Sequence, residues 1–183
     1  KFVEGPVWHK DGYWLFSDIP ANRIHKIAPD GTVETYREPS GNSNGLTIDL
    51  EGRLLACEHG NRRVSIADIG DREEPLVDSY EGKALNSPND VIVHSSGAVY
   101  FTDPPYGIQP EEMEQAHAGV YRVAPTGEIQ LLVDDFEKPN GLAFSPDESV
   151  LYIDDSHHQH IRAFDVAADG SVHNGRAFAD LSY

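Results

Sequence analysis

The sequence repeats one block four times, and this repeat limits the possible folds more than any other feature. The blocks open on Gly-Pro-Val-Trp (5–8), Gly-Leu-Thr-Ile-Asp (45–49), Asp-Val-Ile-Val-His (90–94) and Gly-Leu-Ala-Phe (141–144). The matching positions Gly5, Gly45, Asp90 and Gly141 are 40, 45 and 51 residues apart. A turn follows each opening, at Asp11-Gly12, Glu51-Gly52, Ser96-Gly97 and Pro146-Asp147, and then a second apolar run. Two further runs complete each block, ending at Tyr36, Tyr80, Val133 and Ala179. Short apolar and β-branched runs between turn residues predict strands, and the chain has no long stretch of helical periodicity. Four antiparallel strands in a unit of this length form the blade of a β-propeller. A β-sandwich with coincidental spacing is the competing architecture. The turns recur in phase with the spacing, which favours the propeller. The expected fold is all-β, with blades at roughly 3–40, 41–82, 86–135 and 138–183.

Composition removes several function classes. The formal net charge is −17, so no basic patch is available to displace counterions from a nucleic acid or to dock on an anionic membrane. The 39% hydrophobic content, with 8 Tyr, 7 Phe and 2 Trp, supports a core and argues against disorder. Cys57 stands alone, which excludes an intrachain disulfide and a thiolate metal cluster. No apolar run approaches the roughly 20 residues of a membrane helix. The chain starts at Lys1 without a Met, so its compartment, cytoplasmic or periplasmic, is left open. The oligomeric state is open as well.

With the strands of each blade named A to D, a meander puts the B–C loops and the links into each next A strand on one face. Those segments carry Glu4, Asn42, Asn44, Asn86, Asn89 and Asn140, then Asp18, Asn22, residues 58–62, 103–117 and 155–160. One face is therefore plain, and the other concentrates carboxylates, amides, His and Arg, as a scaffold with functional loops does. Glu4, Asn89 and Asn140 each stand at the start of an A strand, and A strands line a propeller's channel. One carboxylate with amide oxygens suits a hard divalent cation such as Ca²⁺ or Mg²⁺. The same residues also suit plain turn capping, because Asn-Gly and Asn-Asp are ordinary turn pairs.

Five segments carry a resemblance: Glu4-Gly-Pro-Val-Trp8, Glu58-His-Gly-Asn-Arg-Arg-Val64, Asn86-Ser-Pro-Asn-Asp90, Tyr100-Phe-Thr-Asp-Pro-Pro-Tyr-Gly107 and Pro139-Asn-Gly-Leu-Ala-Phe-Ser-Pro-Asp147. In this order they resemble the SMP-30/gluconolactonase family, most of all its bacterial gluconolactonase-like members. The resemblance implies a six-bladed propeller holding a divalent cation, usually Ca²⁺, with Mg²⁺, Zn²⁺ and Mn²⁺ as alternatives. Glu4 and Asn140 match its metal ligands, and Asn89 matches the Asn that ligates the metal or contacts substrate. The family takes a further Asp ligand, its favoured general base, from a later blade. No matching segment follows Asn140, since Asp165, Asp169 and Asp180 lie in the wrong strands and turn. The expectation is therefore a partial propeller, a fragment of about four blades that lacks the general base.

The implied chemistry is metal-assisted hydrolysis of a small-molecule sugar lactone. Asp90 is a weak stand-in for the base, because strand alternation turns it away from Asn89. His59, Arg62, Asp103 and Tyr106 are the candidate substrate contacts, and residues 103–117 are expected to overhang the channel mouth. A phosphotriester hydrolase on the same site and a non-catalytic calcium-binding platform are the rival functions. Gly41-Asn-Ser-Asn-Gly45 fits the serine-hydrolase G-x-S-x-G pattern, but the strand before and helix after that a nucleophile elbow needs are lacking. His157-His158-Gln159-His160 reads as a solvated loop, with transition-metal binding as the alternative.

Overall fold

A computed structural model describes residues 2–182. Four four-stranded antiparallel sheets follow one another along the chain, each with its strands in sequence order. The first holds β1 (Val3–His9), β2 (Tyr13–Asp18), β3 (Arg23–Ile27) and β4 (Val33–Arg37). The second holds β5 (Ser43–Ile48), β6 (Leu54–Glu58), β7 (Arg63–Ala67) and β8 (Glu74–Val77). A small hairpin, β9 (Ser79–Tyr80) and β10 (Lys83–Ala84), leads out of it. The third holds β11 (Val91–Val93), β12 (Val99–Asp103), β13 (Ala118–Val123) and β14 (Ile129–Phe136). The fourth holds β15 (Pro139–Phe144), β16 (Val150–Asp155), β17 (His160–Val166) and β18 (Val172–Asp180). These sheets are four blades arranged as a β-propeller. The only helical turn among the described residues is a 3₁₀ segment at Pro110–Glu112.

One sequence expectation needs correction. The run Leu76–Tyr80 does not continue as one strand. The strand β8 ends at Val77, and residues 79–84 turn back on themselves through Glu81 and Gly82, both at positive φ. Paired positive-φ residues build the tight turn that closes a two-residue hairpin.

Burial shows why the blades stack. The strands β6 and β12 are buried at every residue. Successive side chains on a strand point to opposite faces, so each of these strands serves two cores. Leu54 and Ala56 join Tyr13, Leu15, Ile24 and Leu46 between the first two blades, whereas Leu55 and Cys57 face Val91, Val99 and Phe101 of the third. Ala98 and Tyr100 in turn meet Leu142, Leu151, Ile153 and Phe164 of the fourth. In β2 only one face is covered, so Leu15 is fully buried while Trp14 on the other face is 45% exposed. Val3, Pro6, Trp14, Phe16 and Ile27 form an open apolar groove there.

Each second strand ends on a buried acid: Asp18, Glu58, Asp103 and Asp155. Register makes them equivalent, since Asp18, Glu58 and Asp155 pair with Val3, Ser43 and Pro139 at the starts of their A strands. Asp103 takes the Asn86 and Ser87 N–H groups at 2.7 Å each. Asp155 accepts from four backbone N–H groups, those of Glu137, Lys138, His157 and His158. Glu58 accepts from Asn61 Nδ2 at 2.6 Å and Arg63 Nε at 2.7 Å. Cation and anion are both largely buried there, and charge-assisted bonds of this kind are strong.

The balance between burial and bonding differs from site to site. At Asp103, burial outweighs two N–H bonds and pushes the carboxyl up to about 7. At Asp155, burial is again the largest influence and acts upward, but four N–H bonds together hold the carboxyl below its usual range. Two predictions follow from this contrast. Asp155→Ala strands four donors, and urea unfolding should show a loss of about 2–4 kcal/mol. Asp103 has a raised folded pKa, so its contribution is greatest below about pH 4 and is lost as pH rises through about 7. Unfolding free energy measured from pH 5 to 8 should fall, and the slope should be shallower in Asp103→Asn.

Candidate functional site

The site is built by a backbone irregularity that recurs in three blades. The A-strand register breaks between Glu4 and Val7, between Ser43 and Leu46, and between Pro139 and Leu142. A bulge re-aims the side chains next to it and is often found beside functional sites. The residues just before the repeat positions are Glu4, Asn44, Asn89 and Asn140. All four line one cavity of about 390 Å³, together with Phe2, Ile19, His59 and Tyr106.

In the first two blades the approach is so close that a side chain is excluded at the next position. A Cβ on Gly5 would lie 2.3 Å from the Asn44 carbonyl oxygen, and one on Gly45 would lie 2.7 Å from that of Asn89. Gly5 also has φ +59°, in the left-handed region. The buried peptide groups are joined across the blade boundaries. Ser17 Oγ donates to the Asn44 carbonyl at 2.7 Å, Gly45 N–H to the Asn89 carbonyl at 2.8 Å, and Thr102 Oγ1 to the Asn140 carbonyl at 2.7 Å. These bonds fix the backbone and leave the four side chains to face the cavity.

Glu4 and Asn89 make no side-chain hydrogen bond among the described residues, and Asn140 Nδ2 donates to Ser156 Oγ at 3.1 Å. Asn140 therefore keeps its amide oxygen free. No group of three His, Cys, Asp or Glu side chains converges anywhere among the described residues. Beside the His59 imidazole, the cavity's oxygen donors at the strand starts are one carboxylate and neutral amide oxygens, a set that fits a hard cation. The His157–His160 segment forms no such convergence either. The His158 and His160 rings stack at 5.5 Å between centroids.

Asp90 follows Asn89 but faces a separate cavity with Gly141, Leu142 and Asp154. Its carboxyl is raised to about 6, chiefly by burial. Asp154, also raised by burial, accepts from Gly141 N–H at 2.8 Å. Asp90 and Asn89 thus line different cavities, and the Glu4 carboxylate still adds to the rise at Asp90.

The four candidate substrate contacts divide into two pairs. His59 and Tyr106 line the cavity. Burial lowers the His59 pKa to about 4, so the ring is neutral at physiological pH. Arg62 and Asp103 are outside the lining. Arg62 Nε donates to the Leu85 and Asn86 carbonyls, and its guanidinium meets Glu114 at 3.6 Å. Asp103 is fully buried, with both oxygens bonded to backbone N–H groups. Both residues support the long loop and the chain beneath it. That loop is tied down: Gly107 N–H donates to Ser87 Oγ at 3.0 Å, and Gln115 Nε2 donates to the Tyr80 and Lys83 carbonyls. Its Tyr106 ring lies 5.6 Å from Lys138 Nζ at the rim. Ser43 bonds to Ser17 Oγ at 2.9 Å inside the blade interface, which ends the nucleophile-elbow reading.

The chain resembles known proteins along its whole length. The profile described as SMP-30/Gluconolactonase/LRE-like region matches residues 2–183. A gluconolactonase of Zymomonas mobilis is 41% identical over 175 residues, covering 85% of this chain and 49% of that protein. A pentonolactonase of Haloferax volcanii is 29% identical, over 83% of this chain and 49% of that protein. The solved structure of a gluconolactonase from Xanthomonas campestris superposes with a TM-score of 0.91 at 40% identity, covering 98% of this chain and 63% of that one. The chain spans about half the length of the curated relatives it matches. With the family profile, the four propeller blades and these relatives in agreement, the chain belongs to the SMP-30/gluconolactonase/LRE-like family.

Proposed function

We propose that the protein is a lactone hydrolase that opens sugar lactones with the help of a divalent cation, Ca²⁺ foremost, held by Glu4, Asn140 and Asn89. The observation that carries this reading is the meeting of those three oxygen donors in one cavity, in a chain 41% identical to a gluconolactonase. When bound, such a cation supplies Lewis-acid stabilisation of the charge that develops on the lactone carbonyl oxygen and acidifies water.

The chain's own residues bind and orient. Glu4 brings the only carboxylate of the described cavity lining and so the only full charge to balance a cation. The amide oxygens of Asn89 and Asn140 complete a face of neutral donors whose backbones are fixed by the inter-blade bonds. Phe2, Ile19 and the Tyr106 ring form the apolar part of the wall and limit water around a bound lactone. With Glu4 committed to the cation and Asp90 in the neighbouring cavity, the lining offers no second carboxylate to accept a proton from the attacking water. The general base is accordingly not among the described residues that line this cavity.

Proton release from glucono-δ-lactone tests the reading on the intact protein. Activity should vanish with EDTA and return with Ca²⁺. Glu4→Gln should lower both calorimetric Ca²⁺ affinity and hydrolysis, the latter by roughly 100-fold. Hydrolysis indifferent to EDTA and to Glu4→Gln would remove the cation from the mechanism. Tight Ca²⁺ binding without turnover of any lactone would leave a binding platform instead.

A further inference from the structure

Three asparagines precede a glycine, at Asn44-Gly45, Asn140-Gly141 and Asn174-Gly175. Packing asks for each of these glycines. A Cβ on Gly45 would lie 2.7 Å from the Asn89 carbonyl oxygen. One on Gly141 would lie 2.7 Å from the Asp154 oxygen that takes its N–H, and one on Gly175 would lie 2.6 Å from Cε1 of the Phe164 ring. Asparagine is a thermolabile residue, and a following glycine, with no side chain, leaves the next nitrogen unhindered. That nitrogen attacks the Asn Cγ, an N–Cγ bond forms, and the bond from Cγ to Nδ2 breaks. Ammonia leaves with the former N–H proton. Water then opens the succinimide ring at either C–N bond and leaves aspartate or isoaspartate.

The attack needs a glycine nitrogen that can turn toward the Asn side chain, and the backbone sets the three pairs apart. Gly45 N–H donates to the Asn89 carbonyl at 2.8 Å, and Gly141 N–H donates to Asp154 Oδ2 at 2.8 Å. Asn44 is buried and Asn140 partly buried. Asn174 and Gly175 are both exposed, on the outer edge strand of the fourth blade. The β17–β18 register steps from Asp165 opposite His173 to Ala163 opposite Arg176, so neither residue has a cross-strand partner. Such a bulge disrupts the ladder locally, and Asn174 adopts φ +54° there. Side-chain bonds do not separate the pairs. Asn44 Nδ2 meets His59, Asn140 Nδ2 meets Ser156, and Asn174 Nδ2 donates to Asp165 Oδ2 at 2.9 Å.

We propose that Asn174 is a site of spontaneous deamidation, and that the Gly45 and Gly141 N–H bonds keep the two cavity asparagines as amides. The reaction at Asn174 needs only water. It replaces a hydrogen bond to Asp165 with a second carboxylate, and like charges opposed across a strand pair loosen it. The same reaction at Asn140 would bring a second carboxylate into the cavity, and the bond from Gly141 to Asp154 holds it off. The inference requires no turnover and is independent of the lactone-hydrolase reading.

The test is peptide mapping by mass spectrometry on the intact protein, aged in warm, mildly alkaline buffer with EDTA so that no cation shields Asn140. Conversion of amide to acid should run roughly tenfold faster at position 174 than at 44 or 140, because a bonded N–H reacts only through local opening. In urea the three pairs should react at similar rates, which assigns the order to the fold. Equal rates in the folded protein, or the same order in urea, overturn the inference. Asp154→Ala removes the acceptor of the Gly141 N–H and should speed conversion of Asn140 roughly tenfold. Asp154→Asn retains an acceptor oxygen and should protect Asn140 nearly as well as the wild type does. Asn140 as durable in Asp154→Ala as in the wild type would end the protecting role of that bond. The wild-type order needs no variant, so the proposal can fail even where Asp154→Ala does not fold. Asn174→Gln should abolish the acidic species that ion exchange separates during ageing, and persistence of that species overturns the assignment to Asn174.

Discussion

Strands from four blades converge on one small cavity, and their peptide groups lose water as they do so. Buried N–H and C=O groups without partners cost on the order of 1–3 kcal/mol each, so such a convergence is stable only if every group is claimed. Two sets of side chains meet this demand. Hydroxyls of Ser17 and Thr102 bond to carbonyls of the next blade, and Asp103 and Asp155, at the ends of their second strands, take N–H groups of the incoming chain. Cys57 occupies the position corresponding to Ser17 and Thr102 in the second blade. There the link is made by backbone alone, from Gly45 N–H to the Asn89 carbonyl. Placement of the cavity side chains depends on this bonding more than on the apolar cores, which hold the blades together but do not aim individual residues.

The cores act at a different level. Because residues 54–57 and 98–101 alternate between two interfaces, no inner blade has a core of its own. Stability is shared between neighbours, as in other repeat architectures. A large-to-small change at Leu55 or Phe101 would therefore loosen two blades at once, while the site residues would feel it through the backbone.

Much of this was legible in the sequence. The repeat with its in-phase turns announced the propeller, and it put Glu4, Asn89 and Asn140 at equivalent positions. Asn44 stands at the same position in the second blade, and the spacing that singled out the other three was sufficient to find it. It reads as a turn residue because Asn44-Gly45 is a common turn pair. Asp103 and Arg62 show the limit of such a reading. A carboxylate and a guanidinium beside a rich loop look like ligand contacts, yet Asp103 supplies acceptors to backbone N–H groups and Arg62 supplies donors to carbonyls. Sequence spacing reports where a side chain stands along the strand. It does not report whether the nearby backbone needs that side chain, and this need decides its role. The hairpin at 79–84 escaped for a related reason, since Glu81 is an uncommon residue at positive φ.

The bulges at the A-strand starts make Glu4, Asn44 and Asn140 variations on a single backbone setting. Their main chains are held by groups that do not involve their side chains. Exchange of one such residue therefore alters the set of donors in the cavity without disturbing the bonds that keep the blades together. Chemistry and architecture are uncoupled at these positions. A lineage built on this scaffold can change what it binds one position at a time, with each step inherited as a point substitution rather than a refolding.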